Sequence, residues 1–213
     1  MSGQLTALDY APITIHSGDG KQYIGGDQDW YPDRWQQNAG CGPTCCANIA
    51  AYLAAAHPEL SALNPYDFST MDGALSLMQA LWQYVTPGRR GVNKTSMLAG
   101  GMEKYALSRG VKLKAVSLDY PALPFDRPAA ERVQEFILQA LSSGCPAAFL
   151  TLSSGIVRDL HRWHWITIMQ AERKGPSGEL FITVSDEGLK KEYSITKWLA
   201  STTLGGGFVY FTF

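Results

Sequence analysis

The sequence predicts an α+β protein, helices first and antiparallel sheet second. Two observations carry this. Between Pro43 and Gly144 apolar residues recur at helical spacing; beyond Gly144 they give way to short runs rich in β-branched and aromatic residues, separated by turn-forming stretches. Residues up to about 143 then form a helical lobe with an N-terminal loop, and 144–213 a sheet lobe, within one domain. The chain has 213 residues, 46% of them apolar and 17% charged, which suits one sizeable core that needs no disulfide staple.

Each element has its own signal. From Met1 to about Asn38 the chain is polar, glycine-bearing and aromatic, and reads as loop with a short strand at Ala11 to Ile15. Pro43 lies just inside a helix start, and Cys45, Ile49, Tyr52, Leu53 and Ala56 form its stripe until His57-Pro58 stops it. Ser69 with Asp72 resembles a capping box for a second helix bearing Leu75, Met78, Leu81, Trp82 and Val85, ended by Pro87-Gly88. A third helix, about Thr95 to Arg109, carries Leu98, Met102, Tyr105 and Ala106. Gly100 and Gly101 weaken it by about 1 kcal/mol each relative to alanine, and Gly110 stops it. A proline-rich bridge, SLDYPALPFDRP, leads to a fourth helix with Val133, Phe136, Ile137, Ala140 and Leu141 on one face, closed by Gly144. The runs AAFLTL, HWITIMQ, LFITVS and FVYFTF read as strands, with turns at 174–178 and 188–191.

Charge and cysteine usage exclude several classes. Eighteen basic residues stand against nineteen acidic, with no like-charge run longer than Arg89-Arg90 or Lys190-Lys191, so no nucleic acid partner is expected. Nowhere do enough apolar residues follow one another to span a bilayer, and the N-terminal stretch lacks a basic leader with an apolar core. Cys41, Cys45 and Cys46 crowd into six positions while Cys145 stands far downstream, unlike a secreted disulfide scaffold. The expected setting is therefore reducing and cytoplasmic.

The densest chemical signal is GCGPTCCANIAAYL, residues 40–53, which puts Cys41 at a helix start. Unpaired backbone donors and the helix dipole there favour the thiolate. Gly40 and Gly42 on either side let a substrate backbone approach the sulfur. Cys45, Cys46 and Cys145 read as small buried hydrophobes. A thiol nucleophile needs a base. Of the four histidines, His16 and His57 read as surface features, while His164 opens a strand and is preferred, with His161 the runner-up. The next strand ends at Asp186, and a hairpin brings that end beside the start of its partner, so Asp186 can orient the imidazole. Gln36 and Gln37 precede Cys41 by five and four positions, and Gln37 is the preferred oxyanion donor. Trp30, Tyr31, Trp35, Trp163 and Trp165 are aromatic candidates for a substrate groove or for the core, with Trp165 placed at the substrate. Without a Cys-x-x-Cys pair or an H-E-x-x-H run, no metal site and no cofactor is expected.

The run QQNAGCGPTCCANIAAYL, then HWITIM, then ITVSDEG, resembles the papain-like cysteine peptidases that process bacteriocin leader peptides, and their bacterial stand-alone relatives. The resemblance implies a papain-like fold. It implies Cys41 as nucleophile, His164 as base and Asp186 as orienter, with a glutamine shortly before the cysteine. The family commonly places that glutamine about six positions ahead, where this chain has Trp35. Residues 57–144 match nothing in it, a transporter domain is absent from these 213 residues, and the plant papain signature is not matched. The expected activity is that of a cysteine peptidase or related amide hydrolase acting on a peptide or small amide through a thioester acyl-enzyme. The alternatives are an acyltransferase with the same triad and a non-catalytic peptide-binding module.

Overall fold

The polar N-terminal stretch holds more structure than a loop. A computed structural model describes residues 5–213, so the first four residues of that stretch lie outside the described residues. It contains strands β1 (Leu5–Ala7), β2 (Thr14–His16) and β3 (Gln22–Ile24), then helix α1 (Arg34–Ala39). The expected strand at Ala11 to Ile15 is a 3-10 turn over Ala11–Ile13 that runs into β2. Asp33 starts α1, its carboxylate accepting the N–H groups of Trp35 and Gln36.

Helix α2 (Cys41–Ala56) begins two residues before Pro43, which occupies the first turn, where its missing N–H breaks no bond. The spacing of its larger apolar residues suggested one buried stripe, yet every residue from Gly42 to Leu53 is buried. Small side chains explain this: Cys46, Ala47, Ala50 and Ala51 leave room for neighbours on the remaining sides. Helix α3 (Met71–Trp82) packs chiefly on α2, which also rests on the sheet, and α4 (Thr95–Ser108) packs on α2 and on the sheet's edge. The N-cap of α3 is Thr70, whose hydroxyl accepts the Gly73 N–H at 3.1 Å, because the Ser69 hydroxyl is already donated to Asp67 at 2.6 Å. That helix ends at Trp82, and Val85 packs from the loop beyond it. In α4, Gly101 is set by close approach, since a Cβ there would lie 2.7 Å from the Tyr84 carbonyl oxygen.

The remaining elements are β4 (Lys114–Tyr120), α5 (Ala130–Ser142), β5 (Ala147–Thr151), β6 (His164–Lys174), β7 (Glu179–Asp186), β8 (Leu189–Ser194), α6 (Ile195–Ser201) and β9 (Gly206–Thr212). Six strands run antiparallel in the order β4-β9-β5-β6-β7-β8, and β1 adds to the far half of β6. The sheet is therefore not confined to the C-terminal segment. Strands β1 and β4 come from the part assigned to the helical lobe, β4 overlapping the start of the stretch read as a bridge. The expected turn at 188–191 is shorter than predicted: Glu187 and Gly188, at φ 53° and 70°, form a two-residue hairpin turn, and Leu189 already belongs to β8. Among the described residues no helix is long and apolar enough to cross a membrane.

Asn48 ties these layers together beneath the site. Buried in α2, it accepts the Gly26 N–H at 2.9 Å and donates to the hydroxyls of Thr167 on β6 and Ser185 on β7, each at 3.2 Å. One side chain thus fixes α2 against both β6 and β7 and against the loop after β3.

Candidate active site

Cys41 is the first residue of α2 and is half-buried, where the helix leaves its leading N–H groups without intrahelical partners. On the sheet, Thr167 pairs with Ser185, and continuing that register brings His164, the first residue of β6, diagonally toward Asp186, the last of β7. The His164 Nε2 and Asp186 Oδ1 lie 2.8 Å apart. That contact leaves the other ring nitrogen, Nδ1, for the Cys41 sulfur, which lines the same small recess as His164.

The electrostatics favour an ion pair. Burial pushes the Cys41 thiol up, but the hydrogen bond and charge of His164, followed by the N–H groups of Trp165 and Gly42, outweigh it and hold the thiol below its ordinary value. Burial alone would also lower the imidazole; its hydrogen bond to Asp186 and then the interaction with Cys41 overcome it and raise His164 to about 10. Asp186 shows the same balance, burial opposing its charge while His164 and Lys191 bring its carboxyl down to about 2. The other three cysteines contrast with Cys41. Burial pushes Cys45 and Cys145 up to about 12 and Cys46 well above its ordinary range, so they remain neutral thiols.

Two residues that sequence reasoning missed complete the carboxylate. Lys191 Nζ and the Tyr193 hydroxyl both lie 3.0 Å from Asp186 Oδ2, each reaching back from β8. Alternation along β8 puts 191 and 193 on one face, a signal available only once that segment is recognised as a strand. Lys191 also bonds Glu187 at 2.9 Å, and the exposed His161 lies 3.8 Å from the same carboxylate. His161 stacks edge-on to His164 rather than replacing it. His16 lies on the β2-β3 hairpin, and His57, at the far end of α2, packs on Phe213; neither approaches Cys41. His164, Asp186 and Glu187 could bring three ligand atoms within 4.8 Å of one another, but the hydrogen bonds just described already occupy all three side chains.

Three sequence assignments need correction. Gln37 donates its amide to the carbonyls of Asp29 and Tyr31, at 3.2 and 2.8 Å, so it braces the loop before α1 instead of facing the sulfur. Gly40 and Gly42 serve packing rather than substrate access: a Cβ on Gly40 would lie 2.5 Å from the Tyr31 ring, and one on Gly42 2.9 Å from Val92 Cγ2. The Trp165 indole is buried and donates to the Val92 carbonyl, so what it offers Cys41 is its backbone N–H.

Another glutamine lies closer. Gln28, in the short 3-10 turn Gln28–Trp30, lines a recess beside Cys41, His164 and Thr44, with room for about one water-sized atom at roughly 10 Å³. Its Oε1 is buried with no partner among the described residues. On the other side of Cys41 a groove of about 520 Å³ opens to solvent, flanked by Trp35, Trp163, Arg89 and Arg90.

A helix that starts at the cysteine, laid against an antiparallel sheet that carries the histidine and the aspartate, makes this an α+β protein of papain-like fold. No protein-family model and no curated protein matches the sequence. Among solved structures the chain is similar to UfSP from C. elegans, with a TM-score of 0.50 and 13% identity over 98% of this chain. The match takes in 34% of the UfSP chain, so this protein spans about a third of its length.

Proposed function

We propose that the protein is a cysteine peptidase or related amide hydrolase, with Cys41 as nucleophile, His164 as acid and base, and Asp186 as orienter. The observation that carries this reading is the Cys41–His164–Asp186 arrangement, with His164 Nε2 2.8 Å from Asp186, in which one thiol of four is held below its ordinary pKa while the other three are pushed up. The Cys41 thiolate attacks the substrate carbonyl. His164 Nδ1 delivers its proton to the departing amine, leaving a thioester, and then accepts a proton from the water that hydrolyses it. Asp186 keeps Nε2–H engaged and stabilises the imidazolium.

The oxyanion role assigned to Gln37 passes to Gln28. Its amide borders the water-sized recess, and turning that amide over exchanges the unpaired acceptor for N–H donors. Hydrolysis is favoured over transfer to an amine or thiol because the groove at Cys41 is open to solvent, with Trp35 and Trp163 47% and 46% exposed. The fold likeness carries neither substrate nor activity from UfSP to this chain.

The test needs no known substrate. Alkylation of each cysteine by iodoacetamide, mapped by peptide mass across pH, should label Cys41 alone below pH 7, and His164→Ala should abolish that selectivity. Hydrolysis of a peptide pool should vanish in Cys41→Ala and persist in Cys45→Ala. Labelling of Cys41 only at an ordinary thiol pKa would end the reading.

A further inference from the structure

The groove beside Cys41 carries charge of one sign. Arg89 and Arg90 are the only ionisable residues lining it besides Cys41, and both are exposed. Neither guanidinium has a hydrogen-bond or ion-pair partner among the described residues, which leaves both able to take an anionic partner from solution. In a chain with a net charge of −1, two adjacent unpaired arginines at the lip of a nucleophile are a local feature, not a reflection of overall charge.

The turn that holds them is built to be rigid. Gly88 and Gly91 exchange both backbone hydrogen bonds, at 3.2 and 2.9 Å, which makes Arg89 and Arg90 the two central residues of a tight hairpin turn. Gly91 supplies the left-handed backbone the turn requires, at φ 68°. Buried Pro87 and Val92 flank it. The Val92 carbonyl accepts the Trp165 indole N–H and its side chain rests on Gly42, one residue from the nucleophile. The arginine pair is thereby tied to the sulfur's own helix and to β6.

The facing walls are aromatic. Trp35 and Trp163 expose their indoles in the groove, and Trp163 does so from a left-handed backbone at φ 57°, a conformation that a bulky residue adopts only under constraint. An exposed tryptophan held in strained backbone next to His164 gives the fold no core packing in return. Flat apolar walls joined to paired guanidinia match an extended chain segment bearing a carboxylate, which arginine binds bidentately.

Resting on the thiol-hydrolase reading, we infer that the groove selects acidic amide substrates: peptides with a glutamate or aspartate side chain near the scissile bond, read by Arg89 and Arg90 while Trp35 and Trp163 hold the adjoining chain. These four are specificity-determining residues, separate from the relay that performs the chemistry.

Two measurements test the inference and separate its failure from that of the mechanism. In the Cys41→Ala protein, the tetrapeptides acetyl-Phe-Glu-Glu-Phe-amide and acetyl-Phe-Gln-Gln-Phe-amide are titrated while the indole N–H resonances are followed by NMR. The acidic peptide should shift Trp35 and Trp163 and bind at least tenfold more tightly, and Arg89→Gln with Arg90→Gln should erase the difference. Equal affinities, or no binding of either peptide at millimolar concentration, would overturn the proposal whatever Cys41 does. In the protein with Cys41 intact, iodoacetate and iodoacetamide differ by one charge, and each loses iodide to the thiolate. The double variant should slow iodoacetate about threefold to tenfold more than it slows iodoacetamide, as expected for removing two charges across solvent-exposed distances from an anionic reagent. An unchanged ratio also counts against the arginine pair, whereas loss of iodoacetamide selectivity for Cys41 counts only against the mechanism.

Discussion

Replacing Asp186 by asparagine keeps the side-chain shape and removes the charge on which the relay depends. An asparagine oxygen can still accept His164 Nε2–H, but its NH2 group then faces Lys191 Nζ and the Tyr193 hydroxyl, which now donate to Asp186 Oδ2 at 3.0 Å. The imidazolium loses a buried ionic hydrogen bond of 2.8 Å, and a hydrogen bond to a charged group is worth about 1.5–3 kcal/mol. At 1.4 kcal/mol per factor of ten, the thiolate–imidazolium population should fall roughly tenfold to a hundredfold. The assay is the pH profile of iodoacetamide alkylation at Cys41, with far-ultraviolet circular dichroism confirming the fold. In Asp186→Asn the Cys41 titration should move upward and the rate below that titration should drop by the stated factor. Unchanged profiles in a folded variant would refute the claim that Asp186 acts through the charge of His164.

Other expectations follow from the same geometry. Gln28→Ala should reduce peptide turnover about a hundredfold or more while leaving Cys41 alkylation nearly unchanged, because an oxyanion donor serves the tetrahedral state and not the thiolate. Gln37→Ala should do the reverse, retaining turnover and lowering urea stability by about 1 kcal/mol through two lost backbone braces; equal turnover losses in the two variants would contradict this division. Asn48→Ala strands the buried Gly26 N–H and frees two hydroxyls, and denaturant titration should register a loss of about 2–4 kcal/mol. Acid should also weaken the fold. The Asp186 carboxyl is depressed from 3.8 to about 2, so its contribution is complete above pH 4 and disappears as pH falls toward 2. Its size is about 2 kcal/mol, and Asp186→Asn should flatten stability over that pH window.

The positions of the relay follow from local signals. Cys41 stands two residues before a proline in a helix's first turn, and His164 and Asp186 sit at the outer ends of two strands joined by a glycine-bearing turn, so the hairpin brings their backbones near each other, and the β-bulge at Met169 puts both side chains on one face. Helices α4 and α5 were equally legible, because their apolar periodicity and the glycines at 110 and 144, both of positive φ, act within a few residues. Signals weakened where segments depend on distant partners. Strand β4 has a mixed pattern of burial and is held by β9, the last strand in the chain, so nothing within its own residues distinguished it from a bridge. Strand β8 begins LKKE, which reads as turn until its pairing with β7 makes Lys191 and Tyr193 supports for Asp186.

The sequence by itself therefore determined the class of fold and the positions at which Cys41, His164 and Asp186 stand, at a helix start and at two strand ends, since each is encoded by contacts close along the chain or across one hairpin. Only the tertiary structure decided that Gln28 rather than Gln37 borders the recess at the Cys41 sulfur, that Gly40 and Gly42 accommodate Tyr31 and Val92, and that Arg89, Arg90, Trp35 and Trp163 meet around one groove. The physical reason is separation. These residues lie on loops with no periodicity, and their neighbours are chosen by how α2 packs on the sheet and by hydrogen bonds such as those of Asn48, which join positions 22, 119 and 137 residues apart.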